Sequence, residues 1–254
     1  MKIVVIGGTG LIGSKAVAKL TAHGHEALAA SPNSGVNTLT GEGVDAALAG
    51  ADVVVDVSNS PSFEEKAVMD FFVTSTNTLL AAERKAGIRH HVALSVVGTE
   101  RMTDSGYMRA KVAQEQLIRE SGIPFSLVHA TQFYEFVRSI ADAATDGGTV
   151  RLAPVSIKPI AAEDVATAVA RTAAHDPLNS VLEVSGPEEF LLTELIARGL
   201  AARADGRAVV ADHDARYFGA HLTDRELLPG PDAEVFPTTF GQWLDAQAAV
   251  PASH

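Results

Sequence analysis

Cysteine is absent from the 254 residues of this chain. Its absence excludes disulfides, cysteine-ligated zinc, iron–sulfur clusters and thiol nucleophiles. Long hydrophobic runs are also absent, since no apolar stretch approaches the roughly 18 residues that a membrane span needs. The apolar stretch at the start, Ile3–Ile6, is short and ends in glycines, unlike a secretory signal. We therefore expect a soluble, cytoplasmic protein with no membrane partner and no metal site.

Basic residues are in short supply. Lys and Arg number 20 against 31 Asp and Glu, which gives a net charge of −11, and no run rich in Lys or Arg occurs. An acidic surface repels phosphate backbones, so nucleic-acid binding is not expected. Any ligand with several negative charges has to be held by local groups, because the overall field opposes it.

Alternation of strand-like and helix-like segments fills the first two-thirds of the sequence. Lys2–Ile6 and Ala51–Val57 are near-continuous apolar strands, whereas Leu11–Gly24 has helical periodicity. This alternation predicts a Rossmann-type, doubly wound parallel sheet in the α/β class. The pattern changes near residue 186, which predicts a Rossmann domain over 1–185 and a small C-terminal cap over 186–254 within one structural unit. Gln132–Thr145 is predicted to be helical and Arg216–Pro237 irregular.

The sequence GGTGLIG joins the first predicted strand to the first predicted helix. Gly7, Gly10 and Gly13 fit G-x-x-G-x-x-G, and Gly8 completes an overlapping G-x-G-x-x-G. Glycine lets the backbone turn tightly and approach a pyrophosphate, and the free N–H groups of the helix start face the anion. A tight turn that binds nothing is the alternative, but the strand before it and the helix after it favour a dinucleotide site.

The turn after the second predicted strand bears on which dinucleotide binds. It reads SPNSG and contains no acidic residue to hold a ribose 2′-hydroxyl, and no Arg to attract a 2′-phosphate. Ser31, Asn33 and Ser34 are able to donate hydrogen bonds to a phosphate, and Lys15 adds a positive charge nearby. Simple turn chemistry is the alternative. We expect NADP(H) to be favoured over NAD(H).

A second constellation lies almost a hundred residues later. Ser95 ends an apolar strand, Tyr107 begins the next helix, and Lys111 follows Tyr107 at i+4 on the same helical face. A phenol has an ordinary pKa near 10, which a neighbouring cation lowers. Tyr107 then exchanges a proton with a carbonyl oxygen, and Ser95 hydrogen-bonds that oxygen. A solvated Tyr–Lys pair without function is the alternative.

Together, GGTGLIG, Ser95 and Tyr107-x-x-x-Lys111 resemble the short-chain dehydrogenase/reductase superfamily. The phrases HHVALSVVGTE, SGYMRAKVAQEQLI and SGIPFSLVHATQFYEF resemble its atypical, NmrA-like NAD(P)H-binding branch. The resemblance covers essentially the whole chain and implies carbonyl redox chemistry with NAD(P)H. It also implies that Asn77 supports Lys111. Where relatives commonly have Arg, this chain has His129, which is expected to be either a substrate-pocket residue or a member of a proton relay. A partly buried His that hydrogen-bonds a backbone carbonyl is the alternative.

The residues expected to bind the cofactor are Gly7, Thr9, Gly10, Leu11, Ile12, Gly13, Ser31, Ser34, Ser58, Asn59, Lys111, Ala130 and Thr131. Those expected to line the substrate pocket are His129, Gln132, Phe133, Phe136 and Tyr217.

The expected function is NAD(P)H-dependent reduction of a small ketone, aldehyde or quinone-like carbonyl, with Tyr107 as general acid/base. Lys111 is expected to lower the pKa of the phenol and to hold the cofactor ribose. Two alternatives stay open: a non-catalytic NADP-binding redox sensor of the NmrA type, and an epimerase or dehydratase that uses bound NAD(P). The short C-terminal part argues against a sugar-nucleotide site. The residues do not decide between a monomer and a homodimer.

Overall fold

In the computed structural model, which describes residues 1–249, strands and helices alternate as expected through the first two-thirds of the chain. The helices are α1 (Leu11–Ala22), α2 (Val44–Leu48), α3 (Glu65–Ala86), α4 (Gly106–Glu120), α5 (Val137–Ala143), α6 (Ala162–Ala173), α7 (Leu192–Ala201) and α8 (Phe240–Ala249). The strands are β1 (Lys2–Ile6), β2 (Glu26–Ala30), β3 (Val53–Asp56), β4 (His90–Val96), β5 (Phe125–Ala130), β6 (Thr145–Asp146), β7 (Thr149–Leu152), β8 (Ser156–Ile157), β9 (Ser180–Ser185), β10 (Phe190–Leu191), β11 (Ala208–Ala211), β12 (Arg216–Tyr217), β13 (Ala220–His221) and β14 (Glu234–Val235).

The central sheet has seven parallel strands in the order β14-β9-β5-β4-β3-β1-β2. β1 lies between β2 and β3, and its Val4 pairs with Leu28 on one side and Val54 on the other. The chain leaves β1 toward β2 and then crosses to β3, so the winding reverses between β1 and β3. Sheets of this kind bind ligands beyond the carboxyl ends of their strands at such a reversal. The predicted Rossmann-type fold is confirmed.

Helices cover both faces of the sheet, which explains why its inner strands are apolar on both sides. α1 and α6 pack on one face, where Ile12 and Val165 join Val5 and Val92 in a buried cluster. α2 and α3 cover the other face, and α4 packs beside α3. None of the helices within residues 1–249 is long and apolar enough to cross a membrane.

Two segments differ from the prediction. Gln132 and Phe133 are extended because this stretch pairs with Ile160, whose N–H donates to the Gln132 carbonyl (2.9 Å). A 3₁₀ turn follows, so α5 begins only at Val137. The segment predicted to be irregular contains the β12–β13 hairpin and β14, which joins the central sheet.

The region around Trp243 forms a separate buried cluster beside the sheet. Tyr134 packs against Phe240 and Trp243 at ring-centroid distances of 5.1 and 5.8 Å. Val150 of β7 belongs to the same cluster. This cluster draws residues from both sides of position 186, and β14 joins the segment after position 186 to the central sheet.

Candidate functional site

The glycine turn between β1 and α1 is shaped by close backbone packing. Gly7 has φ +76°, and its N–H donates to the Ala30 carbonyl (2.9 Å). A Cβ on Gly13 would lie 2.1 Å from the Gly7 oxygen, and one on Gly8 would lie 2.6 Å from Cα of Ala29. Only glycine fits these positions, so the turn brings the start of α1 close to the ends of β1 and β2.

The start of α1 presents backbone N–H groups at this edge of the sheet, although that of Gly10 already donates to the Gly7 carbonyl (2.9 Å). Gly10 is its N-cap and supplies no side-chain hydrogen bond, and Thr9, Gly10 and Leu11 are exposed. The first N–H groups of a helix have no carbonyl within the helix to bind, and the helix dipole is positive there. This arrangement suits the pyrophosphate of a dinucleotide.

The turn after β2 uses the Ser34 hydroxyl locally. The Ser34 hydroxyl accepts the Ser31 N–H (2.9 Å) and donates to the Ser31 carbonyl (2.9 Å). Lys15 forms an ion pair with Glu163 (3.0 Å), which Lys19 also contacts (2.5 Å). At Ser34 the structure shows the turn chemistry that was the alternative. Lys15 shares the Glu163 carboxylate with Lys19, so the positive charge expected at Lys15 is only partly offset.

The segment after β3 connects the glycine turn to Tyr107. A Cβ on Gly7 would lie 2.9 Å from Cα of Ser58, so the two backbones are in contact. Asp56 holds Ser58 by accepting its N–H (3.0 Å) and its hydroxyl (2.6 Å). The next residue, Asn59, accepts the Tyr107 hydroxyl at its Oδ1 (3.1 Å). The predicted phosphate site and the predicted proton donor therefore lie at one edge of the sheet.

Tyr107 lies in the first turn of α4, where Ser105 is the N-cap. Its ring packs against Phe63 and Phe72, with centroids 5.6 and 5.9 Å away. Burial raises the pKa of Tyr107 to about 12. The expectation that Lys111 lowers this pKa is wrong for the structure as it stands, because desolvation disfavours the phenolate and Lys111 has other partners.

Lys111 is anchored beneath Tyr107. Its Nζ donates to the Leu94 carbonyl (2.9 Å) and to Gln114 Oε1, and it lies 4.5 Å from the centroid of the Phe72 ring. Burial lowers the pKa of Lys111 to about 8, although the negative charges of Asp56 and Glu115 oppose this. Gln114 in turn donates to Asp56 Oδ2 (3.0 Å).

Asn77 does not support Lys111. It is exposed, and its side-chain amide donates to the Val73 carbonyl within α3 (2.8 Å). That implication of the family resemblance is wrong, since Gln114 occupies the supporting position from the same helix as Lys111.

Ser95 belongs to a different group from Tyr107. Its buried hydroxyl donates to Glu115 Oε1 at 2.5 Å, and His129 Nε2 lies 3.0 Å from the same oxygen. Burial raises the pKa of Glu115, but His129, Ser95 and Lys111 outweigh that effect and hold it below its ordinary value. The structure thus brings Ser95 together with Glu115 and His129, and His129 meets a carboxylate instead of a backbone carbonyl.

The end of β5 carries buried polar atoms without partners. Thr131 is fully buried and Gln132 nearly so, yet the Thr131 hydroxyl and both amide atoms of Gln132 have no hydrogen-bond partner among residues 1–249. Such groups are costly unless something binds them. Ala130, also buried, precedes them. This segment is where the nicotinamide was expected.

The aromatic residues of the predicted substrate pocket fall into two places. Phe133 and Phe136 stack on each other after β5, with centroids 5.1 Å apart. Tyr217 is buried in the cluster around Trp243. Burial, together with the nearby Tyr107, raises the pKa of Tyr217. Tyr107 packs against the same cluster, so Tyr217 lies on the Tyr107 side of the predicted pocket.

Sequence comparison agrees with this geometry. The model of a family described as NAD(P)H-binding matches residues 7–176, about two-thirds of the chain. The chain belongs to this NAD(P)H-binding family. The match begins at Gly7, the first glycine of the turn, and it includes Ser95, Tyr107 and Lys111.

Individual relatives are more distant. A (4-alkanoyl-5-oxo-2,5-dihydrofuran-3-yl)methyl phosphate reductase of Streptomyces griseus subsp. griseus is 29% identical over 92% of this chain and 84% of its own. The NADPH-complexed quinone oxidoreductase QOR2 of Escherichia coli superposes with TM-score 0.64 at 20% identity, over 83% of this chain and 77% of its own. UDP-glucose 4-epimerase of Thermus thermophilus, in complex with NAD, superposes with TM-score 0.68 at 19% identity, over 100% of this chain and 95% of its own. The two structures support the fold.

In this NAD(P)H-binding protein, the sequence interpretation missed three residues that complete the site. Gln114 and Glu115 follow Lys111 by three and four positions, so they share its helical face. That spacing was a usable signal. Phe63, exposed in the loop before α3, gave no periodic signal, and its contact with Tyr107 is visible only in three dimensions.

Proposed function

We propose that this protein is an NADPH-dependent oxidoreductase that reduces a small ketone, aldehyde or quinone-like carbonyl, with Tyr107 as the proton donor. The observation that carries the proposal is a continuous series of contacts: Gly7 packs against Ser58, and the next residue, Asn59, accepts the Tyr107 hydroxyl. It joins a helix start suited to a pyrophosphate with a positioned hydroxyl. The printed names of the Streptomyces relative and the Escherichia structure, a reductase and a quinone oxidoreductase, support the same class.

The residues present fit a dinucleotide. Thr9 and Leu11 are exposed, and their N–H groups at the start of α1 suit its pyrophosphate; the unpartnered polar atoms of Thr131 and Gln132 suit a polar ring group at the end of β5. When bound, the reduced dinucleotide supplies the hydride. The absence of an acid after β2 supports NADP(H) over NAD(H).

Tyr107 is suited to donate a proton rather than to accept one. With a pKa of about 12, its hydroxyl is protonated at neutral pH. As a carbonyl carbon gains hydride, its oxygen gains negative charge, and the Tyr107 O–H bond breaks while the product O–H bond forms. In the structure this hydroxyl donates to Asn59 Oδ1 (3.1 Å), so its proton has to turn from the neutral Asn59 amide to the carbonyl oxygen, and the phenolate then recovers a proton from solvent. Lys111 places a positive charge beneath this site below about pH 8.

Ser95 has a positioning role in this proposal. Its hydroxyl proton is directed to Glu115, so it is not available to a substrate oxygen in this arrangement. The commitment of Ser95 to Glu115 is also the observation that favours the second candidate, an NADP-binding sensor without turnover. The two candidates differ in one measurable property, which is consumption of reduced cofactor.

The function is tested by following the absorbance of reduced nicotinamide with ketones, aldehydes, imines and quinones. We expect carbonyl-dependent oxidation of NADPH, with a higher kcat/KM than for NADH. Tight NADPH binding without turnover on any carbonyl would favour the sensor. A higher kcat/KM with NADH would contradict the cofactor assignment alone.

The pH dependence of the reduction reports on Lys111. Its pKa of about 8 lies below the ordinary value, so the side chain is charged below pH 8 and neutral above it. We expect kcat/KM to fall as pH rises through about 8, since the positive charge that Lys111 places beneath this site is lost. Lys111→Arg keeps its charge to high pH. The variant is expected to lose this alkaline decrease, and an unchanged profile in Lys111→Arg would contradict the assignment.

A further inference from the structure

Phe63 and Phe218 contact each other at the surface near Tyr107, outside the buried core. Phe63 is 61% exposed in the loop before α3, and Phe218 is 39% exposed in the β12–β13 hairpin. Their rings stack with centroids 5.9 Å apart and planes inclined by 30°. Neither belongs to a buried cluster of the described residues. Large apolar side chains exposed together at a site often mark a binding surface.

The backbone at Phe218 is unfavourable for phenylalanine. Phe218 and Gly219 form the two-residue turn of the hairpin, with φ +46° and +88°. A hairpin turn with positive φ at both positions strongly prefers Asn, Asp or Gly at the first of them. A bulky residue in this conformation is uncommon, and such residues cluster at functional sites. Folding alone therefore does not account for phenylalanine at position 218.

Neighbouring contacts fix the hairpin against the start of α4. Arg216 lies 3.4 Å from Asp104, two residues before α4 begins. Tyr217 is buried in the cluster around Trp243, and its ring centroid is 4.9 Å from that of Phe218. The hairpin is held by Arg216 and Tyr217, which leaves the Phe218 ring to face Phe63 and the region around Tyr107.

We propose that Phe63 and Phe218 form an aromatic platform that binds the flat, apolar ring of the substrate and so determines its class. This inference rests on the proposed function and makes it narrower. Aromatic faces prefer offset stacking on other flat rings, and an acyclic chain gains less from such a surface. The platform therefore favours a carbonyl carried by or conjugated to a flat ring, as in quinones and aryl ketones, over acyclic aliphatic aldehydes.

Phe218→Asn tests the platform, because it improves the turn while removing the ring. We expect an unchanged or higher Tm, a KM for naphthoquinone and acetophenone raised about three- to tenfold, and an unchanged KM for hexanal. Ala204→Asn is the matched control, since Ala204 also has positive φ (+55°) but lies after α7. It is expected to share the effect on Tm without any change in KM. Phe63→Ala is expected to shift the same two KM values.

Binding measured without turnover separates this inference from the proposed function. Calorimetric titration with naphthol in the presence of NADP⁺ is expected to give a weaker dissociation constant for Phe218→Asn than for the wild type. If wild-type protein binds naphthol through Phe218 but reduces no carbonyl, the proposed function fails and the platform stands. If Phe218→Asn binds naphthol as the wild type does, or if the wild type does not bind it, the platform is overturned.

Discussion

Tyr107→Phe is expected to lower the kcat of NADPH-dependent carbonyl reduction by about 10²- to 10⁴-fold, the usual contribution of a positioned general acid. The substitution removes only the hydroxyl, which donates to Asn59 Oδ1 (3.1 Å). The ring remains, and with it the contacts to Phe63 and Phe72. The dissociation constant for NADPH is therefore expected to stay at the wild-type value. Stopped-flow or steady-state oxidation of NADPH and a fluorescence titration measure the two quantities.

Tyr134→Phe provides a matched control. Tyr134 is another of the three tyrosines of the chain, and its hydroxyl donates to the Thr238 carbonyl (3.2 Å) in the interior of the cap. Its loss is expected to cost about 1 kcal/mol of the free energy of unfolding and to leave kcat unchanged. Wild-type kcat in Tyr107→Phe would exclude Tyr107 as the proton donor and leave the reductase assignment standing.

Where strands are buried on both faces, the sequence predicts them well. Lys2–Ile6 has the predicted bounds and is buried except at its first residue, because parallel strands covered by helices are nearly continuous in apolar residues. Short elements lack such a pattern. β14 has only two residues, and its place in the sheet depends on pairing with Val184 and Ser185, residues far from it in the sequence.

The candidate site is predictable to a similar extent. Local spacing identifies the glycine turn and the Tyr107–Lys111 pair, since both are set by contiguous residues. It does not give the partners that tertiary packing supplies, such as Glu115 for Ser95. The direction of the pKa shift of Tyr107 was also missed, because the i+4 spacing shows a nearby cation but not the degree of burial. Cation proximity and desolvation act in opposite directions on a phenol, and desolvation dominates here.

Gly13→Ala is expected to have the second large effect, on both folding and cofactor binding. The added Cβ would lie 2.1 Å from the Gly7 oxygen and 2.7 Å from Cα of Gly8. Both are backbone atoms of the turn, so they cannot move aside as a flexible side chain does. Overpacking of this kind costs about 1–3 kcal/mol, and more where the backbone must shift. The shift also displaces the N–H groups at the start of α1, so we expect a lower Tm and loss of measurable NADPH binding.

Two other glycines separate packing from cofactor contact in that experiment. A Cβ on Gly206 meets no atom within 4 Å, so Gly206→Ala is expected to keep both the wild-type Tm and the wild-type dissociation constant for NADPH. Gly10 is exposed at the N-cap of α1, where a Cβ would meet only the Gly7 oxygen at 3.2 Å. Gly10→Ala is therefore expected to fold nearly normally but to bind NADPH more weakly, because its methyl group occupies space close to the pyrophosphate. Wild-type NADPH affinity in both Gly10→Ala and Gly13→Ala would show that the dinucleotide does not bind at this turn.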